Sequence, residues 1–158
     1  VKQSPQIDSS ARGMRLCLLR AAFNARVVDG LLAGAQGALG ELGAEQDAVE
    51  VVTVPGAFEL PLAARAAAAS GRFDAVVALG AVIRGDTDHY THIAREAAAG
   101  LATVARESGV PVAFGVLTCA DEAQALVRCA PGPDNKGAEA ARAAVAMVHV
   151  LRGLRRHG

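Results

Sequence analysis

The chain has 158 residues, the usual size of one domain built on one sizeable core. Sixteen Lys and Arg against sixteen Asp and Glu leave no formal net charge, which argues against the electrostatic footprint of a nucleic-acid or anionic-membrane binder. Hydrophobic residues make up 52% and aromatics only 3%, so Ala, Val and Leu must build the core and each ring merits placing individually.

Three cysteines, Cys17, Cys119 and Cys129, form neither an even disulfide set nor a short-spaced zinc pattern, and a reducing cytosol is the simplest compartment. Residues 1–12 read as a polar N-terminal arm leading into no signal-peptide apolar segment. No uncharged apolar run reaches the roughly 18 residues of a membrane span. A cytoplasmic protein without membrane or nucleic-acid partners is expected.

Met14–Arg20 is the first strand, its apolar residues nearly continuous, as expected where helices cover both faces of a parallel sheet. Phe23-Asn24 follows it, with Asn24 as a plausible cap for a helix carrying Val27, Val28, Leu31, Leu32, Ala35, Leu39 and Leu42 at helical spacing up to Gly43. The second strand, Val49–Val54, leads through Pro55-Gly56-Ala57-Phe58-Glu59 into a helix from about Phe58 to Ser70, with Pro61 confined to its first turn. Ala75–Val82 is the third strand. Arg84-Gly85-Asp86-Thr87-Asp88-His89 then opens a helix that ends before Gly109 and is weakened at Gly100. The fourth strand, Val110–Leu117, precedes helices at Asp121–Arg128 and about Asn135–Leu154, separated by a Pro/Gly cluster. This order predicts a flavodoxin-like three-layer α/β/α sandwich with a four-stranded parallel sheet, a single domain over 1–158.

In open α/β sheets, ligands bind beyond the C-terminal strand ends, so the residues after each strand are the first candidates. Phe23, Phe58 and Phe114 are expected to point toward that edge, suggesting a clamp for a flat ring. Gly85 permits close backbone approach, and Asp86 and Thr87 precede a helix N-terminus suited to a phosphate or carboxylate. His89 lies in that helix's first turn, where the dipole favours a neutral imidazole able to act as a base while Asp86 and Asp88 push the other way. His89 and His92 could hold a metal together, but no third ligand completes the set and none is expected. Glu59 can accept hydrogen bonds from a polyol, and Arg128 and Lys136 are cations available to an anion. Each also has a plainer role as a helix-end charge. The cysteines read as small core residues, and Arg152, Arg155 and Arg156 as a solvated helix terminus.

Taken together, Phe23-Asn24, Val54 to Pro61, Leu79 to Tyr90, Pro111 to Thr118 and Asn135-Lys136-Gly137 resemble the lumazine synthase family, with the blocks in family order and spacing over nearly the whole chain. The resemblance implies condensation of 5-amino-6-(D-ribitylamino)uracil with 3,4-dihydroxy-2-butanone 4-phosphate to 6,7-dimethyl-8-ribityllumazine, phosphate and water, a step of riboflavin biosynthesis needing no cofactor. It further implies that Phe23 stacks on the pyrimidine, that Asn24 belongs to the substrate-binding set, and that Ala57, Phe58 and Glu59 contact ring and ribityl chain. Ala81, Val82 and Ile83 would line the same pocket, with Gly85, Asp86 and Thr87 at the phosphate turn. His89 would transfer protons, Arg128 would bind phosphate and Lys136 would assist. Phe114 and Arg128 would come from the neighbouring subunit of a pentamer, and riboflavin synthase is a candidate partner.

Three departures stand out. Thr91 lies two positions after His89, where the family often has an acid; Cys129 to Asp134 replaces a Gly-rich turn of capsid-forming members; and Ala81 replaces a common hydroxyl residue. A non-catalytic lumazine- or flavin-binding shell or storage protein of the same fold is the alternative, and a flavodoxin-like regulatory module is a further one. The sequence leaves pentamer, decamer and sixty-subunit shell undistinguished.

Overall fold

The computed structural model describes residues 9–156, and most of the polar N-terminal segment lies outside them. Four strands, β1 (Leu16–Ala21), β2 (Val49–Val54), β3 (Ala75–Ile83) and β4 (Val112–Cys119), form one all-parallel sheet in the order β2-β1-β3-β4. Five helices complete the flavodoxin-like arrangement: α1 (Ala25–Glu41), α2 (Leu60–Ala69), α3 (His89–Ser108), α4 (Glu122–Cys129) and α5 (Lys136–Arg156). Short 3-10 turns at Gln46–Ala48 and Ala57–Glu59 precede β2 and α2.

The central strands owe their continuous apolar sequence to burial on both faces. Leu16 and Leu18 of β1 pack into one cluster with Leu31, Leu39, Ala141 and Val145, beneath α1, α4 and α5. Cys17 and Leu19 face the other way, into a cluster with Leu60, Ala64, Leu101 and Val104 from α2 and α3. Nine of the twelve largest fully buried side chains are Met or Leu, which is how a core nearly free of aromatics fills its volume. All three cysteines are buried and free, as small core residues should be.

Boundaries differ from the sequence reading by a residue or two, with physical reasons. β4 begins at Val112 because Pro111 has no N–H, although its carbonyl still accepts from Val76 N (2.8 Å). The Phe58 end of the expected second helix is a 3-10 turn, and regular helix starts at Leu60. Gly100 does not interrupt α3. A Cβ there would come within 2.7 Å of the Pro61 ring, so the glycine lets α2 approach α3 closely. The basic end of α5 is more engaged than a solvated terminus: Arg155 donates to Gly109 O (3.0 Å) and Arg152 lies 3.5 Å from Asp74.

The Pro/Gly cluster separates α4 from α5 as expected, but Asn135 makes the junction an ordered one. Its side chain is 2% exposed. The amide Nδ2 donates among the carbonyls of Gly30 (3.1 Å), Cys129 (2.9 Å) and Ala130 (3.1 Å), while Oδ1 accepts from Ala138 N (3.0 Å) and so caps α5. One side chain thereby ties α1, the end of α4 and the start of α5 together, fixing where Arg128 and Lys136 emerge.

Candidate functional site

Strand order reverses direction at the β1/β3 boundary: the chain goes from β1 outward to β2 on one side, then returns to β3 on the other. The connections leaving β1 and β3 therefore diverge, and a crevice opens between them. A cleft of about 800 Å³ occupies this place.

Its walls come from three strand exits. Phe23 and Asn24 follow β1; Pro55 to Glu59 follow β2; Ala81, Val82 and Ile83 end β3, and Gly85, Thr87, His89, Tyr90, His92 and Ile93 continue from it. Phe23 (72% exposed) and Phe58 (55%) leave most of their ring surface open, an arrangement a folded chain tolerates where something flat can cover it. Ala81 and Val82 are buried and form an apolar floor.

Asn24 is the special backbone position. With φ 59° it is the only non-glycine of positive φ among the described residues. It does not cap α1 with its side chain as the sequence suggests; Nδ2 instead donates to Ala81 O (2.8 Å), bridging the exits of β1 and β3. The left-handed turn and this bond together set the path of Phe23 at the cleft mouth.

The turn before α3 has the expected form. Asp88 stands at the N-cap without a side-chain cap bond, His89 N donates to Thr87 Oγ1 (3.4 Å), and Gly85 and Thr87 line the cleft. The Asp86 side chain is exposed and outside the cleft lining. His89, the first residue of α3, and Glu59, from the turn after β2, face the same cleft. An imidazole, a carboxylate, a helix start and two open rings around an apolar floor can hold a flat polyhydroxylated molecule beside an anion and move a proton between them.

Phe114, Arg128 and Lys136 do not join this cleft. The expectation that Phe114 points to the strand-end edge is corrected: it is the third residue of β4, opposite Ala78, well before the strand's C-terminal end. It lines a second groove of about 330 Å³ along edge strand β4, together with Thr118, Arg128, Lys136 and Glu139. Arg128 Nη1 donates to Gln124 O (2.9 Å) and Lys136 Nζ pairs with Glu139 (2.9 Å), so an anion there would compete with Glu139 for the ammonium. The start of α4 is firmly set. Asp121 Oδ1 accepts from Gln124 N (2.8 Å), and Gln124 Oε1 accepts from Ala120 N (2.9 Å) in return.

Burial pushes the Cys17 thiol up to about 11, with Glu50 adding to the shift and Arg72 opposing it. Cys129 is also raised, again mainly by burial. Neither has the electropositive setting of a nucleophile. Among the described residues, no group of three or more His, Cys, Asp or Glu could hold a metal ion, and no helix is long and apolar enough to cross a membrane.

In the sequence His92 reads only as a metal candidate, whereas it lines the cleft; its i, i+3 spacing from His89 is the signal of a shared helix face. Residues 13–152, most of the chain, match the family model described as 6,7-dimethyl-8-ribityllumazine synthase.

Proposed function

Since the chain belongs to the 6,7-dimethyl-8-ribityllumazine synthase family, a family of transferases, we propose that it condenses 5-amino-6-(D-ribitylamino)uracil with 3,4-dihydroxy-2-butanone 4-phosphate, releasing phosphate and water. The observation that carries this reading is the cleft itself: His89 and Glu59 face one chamber with the open rings of Phe23 and Phe58, at the sheet's switch point.

In this reading Phe23 stacks on the pyrimidine, while Ala57, Phe58 and Glu59 hold the ring and ribityl chain over Ala81, Val82 and Ile83. Glu59 accepts from ribityl hydroxyls. The Gly85-Asp86-Thr87 turn receives the phosphate through main-chain N–H groups and the Thr87 hydroxyl, at the positive end of α3. His89 moves protons as the amine adds to the ketone, phosphate leaves and the ring closes. Holding two substrates in register supplies much of the rate, because a bimolecular encounter becomes an intramolecular one.

Arg128, Lys136 and Phe114 lie in a separate groove on the same chain, so in this reading they complete the cleft of a neighbouring subunit. The exposed ring of Phe114 in that groove supports burial against another copy in a pentamer-based assembly. Phosphate would then be held between the Thr87 turn of one subunit and the guanidinium of the next.

Incubation with both substrates tests the reaction: absorbance of the lumazine should appear, with one phosphate released per product. Folded protein that yields neither overturns the reading. Co-refolding inactive His89→Ala and Arg128→Ala chains should restore part of the turnover, since some mixed sites carry both native residues. Mixtures of folded parents that regain none would refute sharing.

A further inference from the structure

Building on the proposed condensation, we propose that His92 is a second proton-transfer residue in the cleft, acting on the carbinolamine hydroxyl while His89 serves the phosphate end.

Two features place it there. His89 and His92 are one turn apart on α3, so their side chains share a helix face, and both line the same cleft. Their settings differ. His89 is the first helical residue, its N–H bonded to Thr87 Oγ1 beside the phosphate turn, whereas the N–H of His92 reaches Asp88 O (3.4 Å) inside the helix. Along α3, His92 therefore stands one turn further from the phosphate turn than His89. The titratable groups sharing the cleft with it are Glu59, from the turn packed against α3, and His89 and Tyr90 from its own helix. Asp86 and Asp88 precede it in the chain, and Arg95 and Glu96 lie one turn on.

The chemistry supplies the need. Amine addition to the ketone gives a carbinolamine, and its collapse requires a proton on the departing oxygen. Protonated His92 gives that proton to the hydroxyl as the C–O bond breaks. The nitrogen lone pair closes C=N, and water leaves. The iminium N–H then returns its proton to the neutral imidazole, giving the neutral imine and restoring the imidazolium, so the step balances without another reagent. A single imidazole serving phosphate loss and dehydration would have to travel along the cleft or act through solvent. Two imidazoles one turn apart avoid this.

The assay uses the full chain with both substrates, comparing wild type with His92→Gln and His92→Ala over pH 5.5 to 9. His92→Gln should lower kcat at least tenfold with KM for the aminouracil within threefold, and should remove the alkaline fall in kcat that reports loss of the acid form. Added imidazole should raise kcat of His92→Ala in proportion to its imidazolium fraction. Gln keeps most of the side-chain volume on an exposed position, so both variants should keep the wild-type thermal midpoint within a few degrees. A folded variant that keeps kcat and its pH profile, or loses rate only through KM without imidazole rescue, overturns the role of His92 and leaves the condensation intact. Wild-type protein without lumazine formation would fail the underlying reading, and the proposal with it.

Discussion

Gly34 of α1 lies directly against the side chain of Asn135 at the head of α5, and a Cβ on Gly34 would overlap the amide group. The amide is engaged on every side, with carbonyls of Gly30, Cys129 and Ala130 around Nδ2 and Ala138 N on Oδ1, so it cannot step aside cheaply. Gly34→Ala should therefore destabilise the protein by about 2 kcal/mol or more, despite alanine's better helix propensity. Gly37, on the same helix with nothing within 4 Å of an added Cβ, supplies the control. Gly37→Ala should stabilise by about 0.5–1 kcal/mol. Urea denaturation of the two variants measures both signs, and equal effects would contradict the packing argument.

Asn24 couples backbone strain to the cleft, and two substitutions separate its contributions. Asn24→Gly relaxes the positive φ but removes the bond to Ala81 O; Asn24→Ala removes the bond and leaves a Cβ in the left-handed region. Asn24→Ala should cost about 2 kcal/mol and Asn24→Gly about 1 kcal/mol. Under the proposed reaction both should weaken binding of the aminouracil, because Phe23 loses its fixed path. Denaturation checks the order in stability, and titration with the aminouracil checks the loss of binding. Glycine no less damaging to stability than alanine would remove strain from the account.

The sheet is legible in the sequence because β1 and β3 are buried on both faces and read as unbroken apolar runs, and because Gly and Pro mark most helix ends. The cleft is legible for the same reason, since ligand sites follow strand ends and those ends can be counted along the chain. What a linear reading loses is depth within a strand. Phe114 counts as part of the last strand, but only the register against Ala78 shows that it lies in the first half of β4, away from the strand's C-terminal end. Asn135 is lost differently: in the sequence it marks only the start of the last helix, and its burial depends on Gly30, over a hundred positions away. His92 is visible by spacing yet reads as a metal candidate until the cleft shows what it faces.

Cys17 gives the wild-type protein an alkaline liability. Its folded pKa is raised from 9.0 to about 11 by burial first and by Glu50 second, so the thiol of the unfolded chain ionises at lower pH than that of the folded one. In that window the folded state binds more protons, and stability contributed at this site is complete below pH 9 and lost as pH rises toward 11. The slope for one group is at most about 1.4 kcal/mol per pH unit. Cys17→Ala has a cavity cost but no thiol to titrate, so the advantage of wild type over the variant should shrink between pH 8.5 and 11. Parallel stability curves for the two proteins would show that the thiol is not the source.

Under the proposed reaction, Arg128 should control affinity for the phosphate end of the substrate without controlling the fold. Its one hydrogen bond given by the structure goes to Gln124 O on its own helix, and α4 is already held by the Asp121 and Gln124 cap. Arg128→Gln should therefore change stability by no more than about 0.5 kcal/mol. Under the proposed reaction, a charge-assisted contact to phosphate is worth about 1.5–3 kcal/mol, so kcat/KM for the butanone phosphate should fall roughly 10- to 100-fold. Arg128→Lys should recover part of that loss, since a point charge remains but the planar fork does not. Competitive inhibition by inorganic phosphate must weaken in step with substrate use. Unchanged phosphate inhibition in a folded Arg128→Gln protein would place the anion elsewhere and leave the guanidinium as a helix-end charge.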